Sequence, residues 1–175
     1  MYITRDTVHI CITRDIVVQV TKQPKRQNSP RGKGQAGRLD DQLCFALYAA
    51  TNAVTRVYRP LLKEIGLTYP QYLVLLILWE HGARQVGEIA SQLHLATHAV
   101  SPILDRMEES GLVRRSKADD DGRVVRVELT PAGAALEAKA AAVQEAVRCS
   151  TMLDADEVTQ LRADLKTLLA RMGDE

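Results

Sequence analysis

From Leu39 onward, apolar residues recur at helical spacing, and the runs they form are closed by glycines. The first run extends over 39–65 and stops at Gly66. Pro60 lies inside it and predicts a kink or break near Arg59, because proline offers no N–H to the preceding turn. Thr68 suits an N-cap for a second helix, with Pro70 in the first turn, where a missing N–H costs little. The nearly continuous apolar stretch 72–79 predicts that this helix is buried, and Gly82 ends it. Val86, Ile89, Ala90 and Leu93 then make one face of a short helix. After a turn at 94–96, Thr97 is the expected N-cap of the next helix, whose apolar face is Val100, Ile103, Leu104 and Met107. Gly111 closes it. Two short helices joined by a tight turn are the helix-turn-helix plan, with the second helix suited to a DNA major groove. Alternating segments at 112–116 and 124–129 flank the polar, Gly-containing stretch 117–123 and predict a β-hairpin, which beside a helix-turn-helix is a wing. A further helix is expected from Thr130 and Pro131 to about Ser150, and a last one from Asp154, as N-cap, to Met172.

Residues 1–38 read differently. Weak alternation in 1–23 allows a short hairpin, and the Pro/Gly/Lys/Arg-rich stretch 24–38 predicts disorder. We expect 1–38 to be a basic tail outside the main fold, and a start codon assigned too early is one explanation for it. The net charge of +1 conceals this asymmetry: eight basic and two acidic residues precede Leu39, leaving fifteen basic against twenty acidic after it. An acidic body still binds DNA when its basic residues cluster, so net charge does not decide the partner.

No apolar run approaches the ~18–20 residues of a membrane span, and the charged N-terminus is unlike a signal peptide. The three cysteines form no CxxC pair and no Cys/His metal spacing, so neither a metal nor a cofactor is expected. Scattered cysteines suit a reducing, cytoplasmic setting, where a disulfide is a signal rather than a staple.

One stripe of the first helix carries chemistry. At about 100° per residue, Tyr48 and Tyr58 fall roughly 40° to either side of Cys44, with Thr51 and Thr55 between them. The cysteine nucleophile is the thiolate, which facing donors favour. Cys44 and Tyr58 are about 21 Å apart along one helix at ~1.5 Å rise per residue, too far to touch. They meet only if a second copy of the helix packs antiparallel across a two-fold axis. The plain alternative is that Cys44 is an inert packing cysteine and the tyrosines merely fill space.

This order of elements resembles the MarR family of winged helix-turn-helix regulators over residues 39–172. Asp121-Gly122-Arg123, Leu129-Thr130 and Gly133 carry the wing signature. Within the family, three further blocks look like the organic hydroperoxide resistance regulators: Leu43-Cys44-Phe45-Ala46-Leu47-Tyr48, Tyr58-Arg59-Pro60-Leu61-Leu62, and Leu67-Thr68-Tyr69-Pro70-Gln71-Tyr72 with Leu78-Trp79-Glu80. The resemblance implies a mainly α fold with a β-hairpin wing and a dimeric architecture. The winged helix-turn-helix would occupy about 68–130, and the dimerisation helices about 39–65 and 131–172. It further implies a homodimeric repressor of a pseudo-palindromic double-stranded operator, and an organic hydroperoxide as the reacting inducer.

In that reading Cys44 is the redox-sensing residue, hydrogen-bonded by Tyr48 and Tyr58 of the other chain. Cys149 looks like the resolving cysteine of the two-cysteine branch, and its alternative is a surface or interface thiol. Cys11 has no counterpart. Thr97, His98 and Ser101 would face the groove and Arg106 a phosphate, while Arg123, held by Asp121, would reach the minor groove. His98 also reads as a solvated helix residue. Ala96 and His98 depart from the relatives, which carry an acid and a small residue there, so the operator sequence stays open. Arg115 and Arg126 suit phosphate contacts or a solvated face. Two competing readings remain. One is a repressor of this type released by a small phenolic or other non-oxidant ligand. The other is a thiol peroxidase, which we rank far behind because no second cysteine lies near Cys44 and the DNA-binding elements would serve no purpose.

Overall fold

The computed structural model describes residues 10–13, 16–19, 37–117 and 125–173, the first two segments as backbone only. It divides into two compact units, one formed by 34–144 and the other by 1–33 with 145–175. Through both, the elements run β1 (Ile10–Thr13), β2 (Ile16–Gln19), α1 (Leu43–Glu64), α2 (Tyr69–His81), β3 (Arg84–Gln85), α3 (Val86–Gln92), α4 (Thr97–Glu109), β4 (Val113–Lys117), β5 (Val125–Leu129), α5 (Pro131–Ala135), α6 (Glu137–Ser150) and α7 (Ala155–Met172).

In the larger unit, α2 has no polar face, and Tyr72, Val74, Leu75, Ile77 and Leu78 are all buried. A helix apolar all round must lie inside a fold. Around it, Leu62 of α1, Ile89 of α3, Val100, Leu104 and Met107 of α4, and Val113 and Val127 of the wing are each 2% exposed or less. Each such side chain contributes about 1.5–3 kcal/mol by leaving water, and together they fix α3 and α4 against α2 and the sheet. The sheet has strand order β3-β5-β4, with β4 and β5 antiparallel in the register Val113↔Leu129, Arg115↔Val127 and Lys117↔Val125. The third strand, β3, was not expected; two residues are too few to show alternation. Its Arg84 and Gln85 pair with Val127 and Arg126.

The helix ends follow local chemistry. Gly66, Gly82 and Gly111 all adopt positive φ, where a side chain would be strained, and each follows a helix as expected. Thr68 N donates to Gln71 Oε1 at 2.9 Å, the reciprocal half of a capping box. Three expectations need correction. Helix α1 passes through Pro60 without a break, because Pro60 is exposed and sits in the last turns, where losing one backbone bond is tolerable. The N-cap of α4 is Ala96, not Thr97, which is already helical, and no side chain caps this end. The helix expected over 131–150 is interrupted at Leu136, where the bonding tightens to Leu136 N→Gly133 O at 3.4 Å before α6 resumes. Gly133 itself is buried so close to the wing that a Cβ there would clash with the Leu112 carbonyl oxygen.

In the smaller unit, β1 and β2 form the antiparallel hairpin that the alternation allowed, pairing Ile10↔Gln19 through Thr13↔Ile16. Asp154 caps α7 as expected: its Oδ1 accepts from Asp156 N and Glu157 N at 2.9 Å, and its own N donates to Glu157 Oε2 at 2.9 Å. The apolar stripe Leu161, Leu165 and Leu169 remains 41–49% exposed in the single chain. No single helix among the described residues is long and apolar enough to cross a membrane.

Candidate redox site and DNA interface

Helix α1 is amphipathic, yet only Leu61 and Leu62, near its C-terminal end, are buried in the chain. Cys44, in its first turn, is a free, exposed thiol. Tyr48, one turn on, is 66% exposed, and Phe45 and Leu47 are half-buried. The stripe is therefore present but bare. Of its hydroxyls, Thr55 is already engaged, donating to Thr51 O at 2.8 Å, which leaves it poorly suited to meet a thiolate.

Tyr58, at the other end of the stripe, is not bare. Its ring lies 5.0 Å from that of Tyr69 and 5.6 Å from that of Tyr72, and the latter two rings are 6.3 Å apart, all tilted. Tilted pairs at these distances are the favourable arrangement of aromatic quadrupoles. Burial raises all three phenols above their ordinary range; the Tyr69 phenol raises Tyr58 further, and the Tyr58 and Tyr69 phenols raise Tyr72 further. At neutral pH the cluster therefore presents O–H donors and never phenolates. The sequence singled out Tyr58 but missed Tyr69 and Tyr72 as its partners. Their signal was their place in the first turn of a buried helix, inside the block Leu67-Thr68-Tyr69-Pro70-Gln71-Tyr72 that resembles the family.

Cys149 lies in the last turn of α6, half-buried and disulfide-bonded, with its Sγ 3.7 Å from Glu145 Oε1. Glu145 is held below the usual carboxylate range by Arg148, whose Nε donates to it at 2.9 Å. Cys44 belongs to the larger unit and Cys149 to the smaller.

On the recognition helix α4, Thr97, His98 and Arg106 are exposed and Ser101 is half-buried. The Ser101 hydroxyl donates back to Thr97 O at 3.3 Å. Arg106 makes no ion pair among the described residues, so its guanidinium is open to a phosphate. Arg115 is corrected: it is neither a solvated residue nor available to phosphate. Its Nη2 donates to Asp105 Oδ1 at 2.5 Å, its Nε lies 3.6 Å from Glu108 Oε2, and its backbone N donates to Glu108 Oε1 at 2.9 Å. It thus ties strand β4 to α4. Neither acid was singled out in the sequence, since charged residues on an exposed helix face give no signal of a partner seven or ten residues away. Arg126 stays exposed on the wing. Asp121 and Arg123 lie outside the described residues.

A helix-turn-helix seated on a three-stranded wing, with an exposed recognition helix, defines a winged helix-turn-helix DNA-binding protein. Residues 67–125 match the MarR family. The chain is 40% identical over 132 residues to the organic hydroperoxide resistance transcriptional regulator of Bacillus subtilis, spanning 75% of this chain and 90% of that protein. It is 44% identical over 147 residues to the HTH-type transcriptional regulator TtmR of Methylorubrum extorquens, spanning 84% of this chain and 73% of that protein. Reduced AbfR bound to DNA superposes with a TM-score of 0.64 at 34% identity, covering 78% of this chain and 95% of that one. AbfR, from Staphylococcus epidermidis, has also been solved with its disulfide formed, and that state superposes at 0.55. The chain belongs to the MarR family of transcriptional regulators, and these relatives are named as regulators rather than enzymes.

Proposed function

We propose that this regulator is a homodimeric, cytoplasmic repressor that senses organic hydroperoxides by oxidation of Cys44. The observation that carries the proposal is the pairing of an exposed free thiol at one end of a bare helix with a protonated tyrosine cluster at the other. In one chain the two are about 21 Å apart. Antiparallel packing of two α1 helices unites them and covers the exposed stripe. The Bacillus relative supports the hydroperoxide as inducer, and the AbfR structures support a redox switch on DNA.

The Cys44 thiolate attacks the distal oxygen of the hydroperoxide. The O–O bond breaks, the alkoxide leaves and takes up a proton as the alcohol, and sulfur becomes a sulfenic acid. Phenol O–H groups of Tyr58, and of Tyr48, hydrogen-bond the thiolate before attack. Half-buried Phe45 and Leu47 beside the thiol favour an alkyl over a bare peroxide. In the fully reduced protein, with the Cys149 disulfide of this structure opened, the Cys149 thiol of the other subunit then attacks the sulfenic sulfur, forming an intersubunit disulfide and releasing water. A disulfide needs Cα atoms about 4.4–6.8 Å apart, and closing to that distance moves helices and draws the two recognition helices off successive major grooves. Each hydroperoxide is consumed once, so the protein is a sensor and not a catalyst. Thr97, His98 and Ser101 read bases, while Arg106 and, at the wing tip, Arg123 paired with Asp121 engage the backbone and minor groove.

Non-reducing electrophoresis after a stoichiometric dose of cumene hydroperoxide tests this, with operator binding measured in parallel. Wild type gives a disulfide-linked dimer and releases DNA; Cys44→Ser and Cys149→Ser give no dimer. If Cys44→Ser still releases DNA on addition of an inducer, the redox reading fails and release by a non-oxidant ligand such as a phenol replaces it.

A further inference from the structure

The cysteines of this chain are unequally used. It holds three, Cys11, Cys44 and Cys149. Cys44 is a free, exposed thiol, whereas Cys149 is already in a disulfide. A resting two-cysteine switch needs the opposite, with both thiols awaiting the oxidant. With Cys44 free, one sulfur of the chain is left for Cys149, that of Cys11. Strand β1, whose four residues include Cys11, belongs to the same compact unit as Cys149, while Cys44 belongs to the other. The surroundings of Cys149 and Cys44 also differ. Cys149 Sγ lies 3.7 Å from Glu145 Oε1, and the Arg148 guanidinium is taken up by that same carboxylate, its Nε donating at 2.9 Å. A thiolate at Cys149 would face a like charge. Cys44 stands on the stripe that the phenols of a second subunit are proposed to meet, where a thiolate would face O–H donors.

We propose that Cys11 is a second resolving residue, which takes Cys149 over by thiol–disulfide exchange and so returns Cys44 to the thiolate. The inference rests on the redox reading of Cys44. Once Cys44 of one protomer is joined to Cys149 of the other, the Cys11 thiolate of the chain that holds that Cys149 attacks the Cys149 sulfur. The Cys149–Cys44 bond breaks, a Cys11–Cys149 bond forms, and Cys44 leaves as the thiolate. One disulfide replaces another, so this step consumes no reductant. Its direction follows from the leaving group, because the sulfur with the better stabilised thiolate leaves faster. That sulfur is Cys44, faced by phenol O–H groups, and not Cys149 beside Glu145. The end state is the one in this structure, with Cys44 free and Cys149 bonded. A dithiol reductant then reopens the Cys11–Cys149 pair and is itself oxidised to a disulfide. In a reducing setting such a bond is a transient step rather than a staple.

The test starts from fully reduced, full-length protein freed of reductant and given one equivalent of cumene hydroperoxide. Aliquots are quenched over time with N-ethylmaleimide, then read by non-reducing electrophoresis and by mass spectrometry of the linked peptides. In wild type the disulfide-linked dimer forms first and then fades with no reductant added. As it fades, a Cys11–Cys149 linked peptide accumulates and Cys44 again takes up N-ethylmaleimide. Cys11→Ser forms the same dimer and keeps it. Cys44→Ser gives neither the dimer nor, at the same dose, the Cys11–Cys149 peptide, since the oxidising equivalent enters at Cys44. A dimer that persists equally in wild type and Cys11→Ser overturns the exchange and leaves the two-cysteine sensor intact. A dimer that fades equally in both also overturns it. A Cys11–Cys149 peptide that forms as fast in Cys44→Ser overturns it too, because that pair would then be oxidised directly. Wild-type and Cys149→Ser proteins in which dimedone traps no sulfenic acid at Cys44 overturn the redox reading and this inference with it.

Discussion

At the scale of single residues, the two arginines on and beside the recognition helix have opposite roles. Arg115 is 23% exposed at its side chain and bridges two carboxylates, whereas Arg106 is exposed and without an ion pair among the described residues. A half-buried charged pair with several bonds is worth more than an exposed one, yet Asp105 and Glu108 are themselves well exposed, so solvent weakens it. Arg115→Ala is expected to lower unfolding stability by about 1–2 kcal/mol in urea titrations, with the salt dependence of operator binding unchanged. Arg106→Ala leaves stability alone but weakens operator binding across all sequences, and it reduces the slope of log affinity against log salt by about 1. Equal salt slopes in wild type and Arg106→Ala would remove Arg106 from the interface.

At the scale of elements, two helix starts show how the fold is tuned. The N-terminus of α4 has Ala96 as its cap and no side-chain bond to its free N–H groups. α7 has Asp154 in a complete capping box. Ala96→Ser should therefore raise stability by about 1 kcal/mol, read as a higher thermal midpoint. The start of α5 is set differently. The Thr130 side chain accepts from Gly133 N at 3.1 Å and donates to Gly111 O at 2.6 Å, so one hydroxyl both caps α5 and pins it to the turn after α4. Gly133 completes the joint because only hydrogen fits against the Leu112 carbonyl. Gly133→Ala is expected to cost about 1–3 kcal/mol through forced displacement of the backbone. A variant as stable as wild type would show that α5 is free to move from the wing.

At the scale of the molecule, the single chain is incomplete. An amphipathic α1 with most of its length exposed and an α7 whose leucine stripe faces water both call for a partner surface. Reduced protein is expected to elute at about 39 kDa, twice the 19.4 kDa chain. Charged substitutions on the stripe, such as Leu165→Glu with Leu169→Glu, should shift it toward the monomer and abolish tight operator binding, since two half-sites must be held together. A dimer undisturbed by those substitutions would exclude α7 from the interface.

Much of this was legible before any coordinates. The 3.6-residue period, the closing glycines and the capping residues are local rules, and they placed α1, α2, α3, α4 and α7 and the wing strands to within a few residues. They also put Cys44, Tyr48 and Tyr58 on one stripe. The errors arose where a local rule met a tertiary condition. Pro60 was tolerated because its flank is solvent, and the 131–150 helix was interrupted beside Gly133, which packs against the wing. Arg115 looked solvated because its two acids are close only after β4 folds onto α4. Tyr72 read as core, and it is core, but its ring joins the tyrosine cluster only because α2 packs against Tyr58 of α1. Sequence by itself determined the elements, the family resemblance and the identity of the candidate thiol, since period, caps and side-chain chemistry are carried along the chain. Which donors are free, which charges are committed and which aromatic rings meet depends on residues distant in sequence becoming neighbours, and only the packing of the helices decided that.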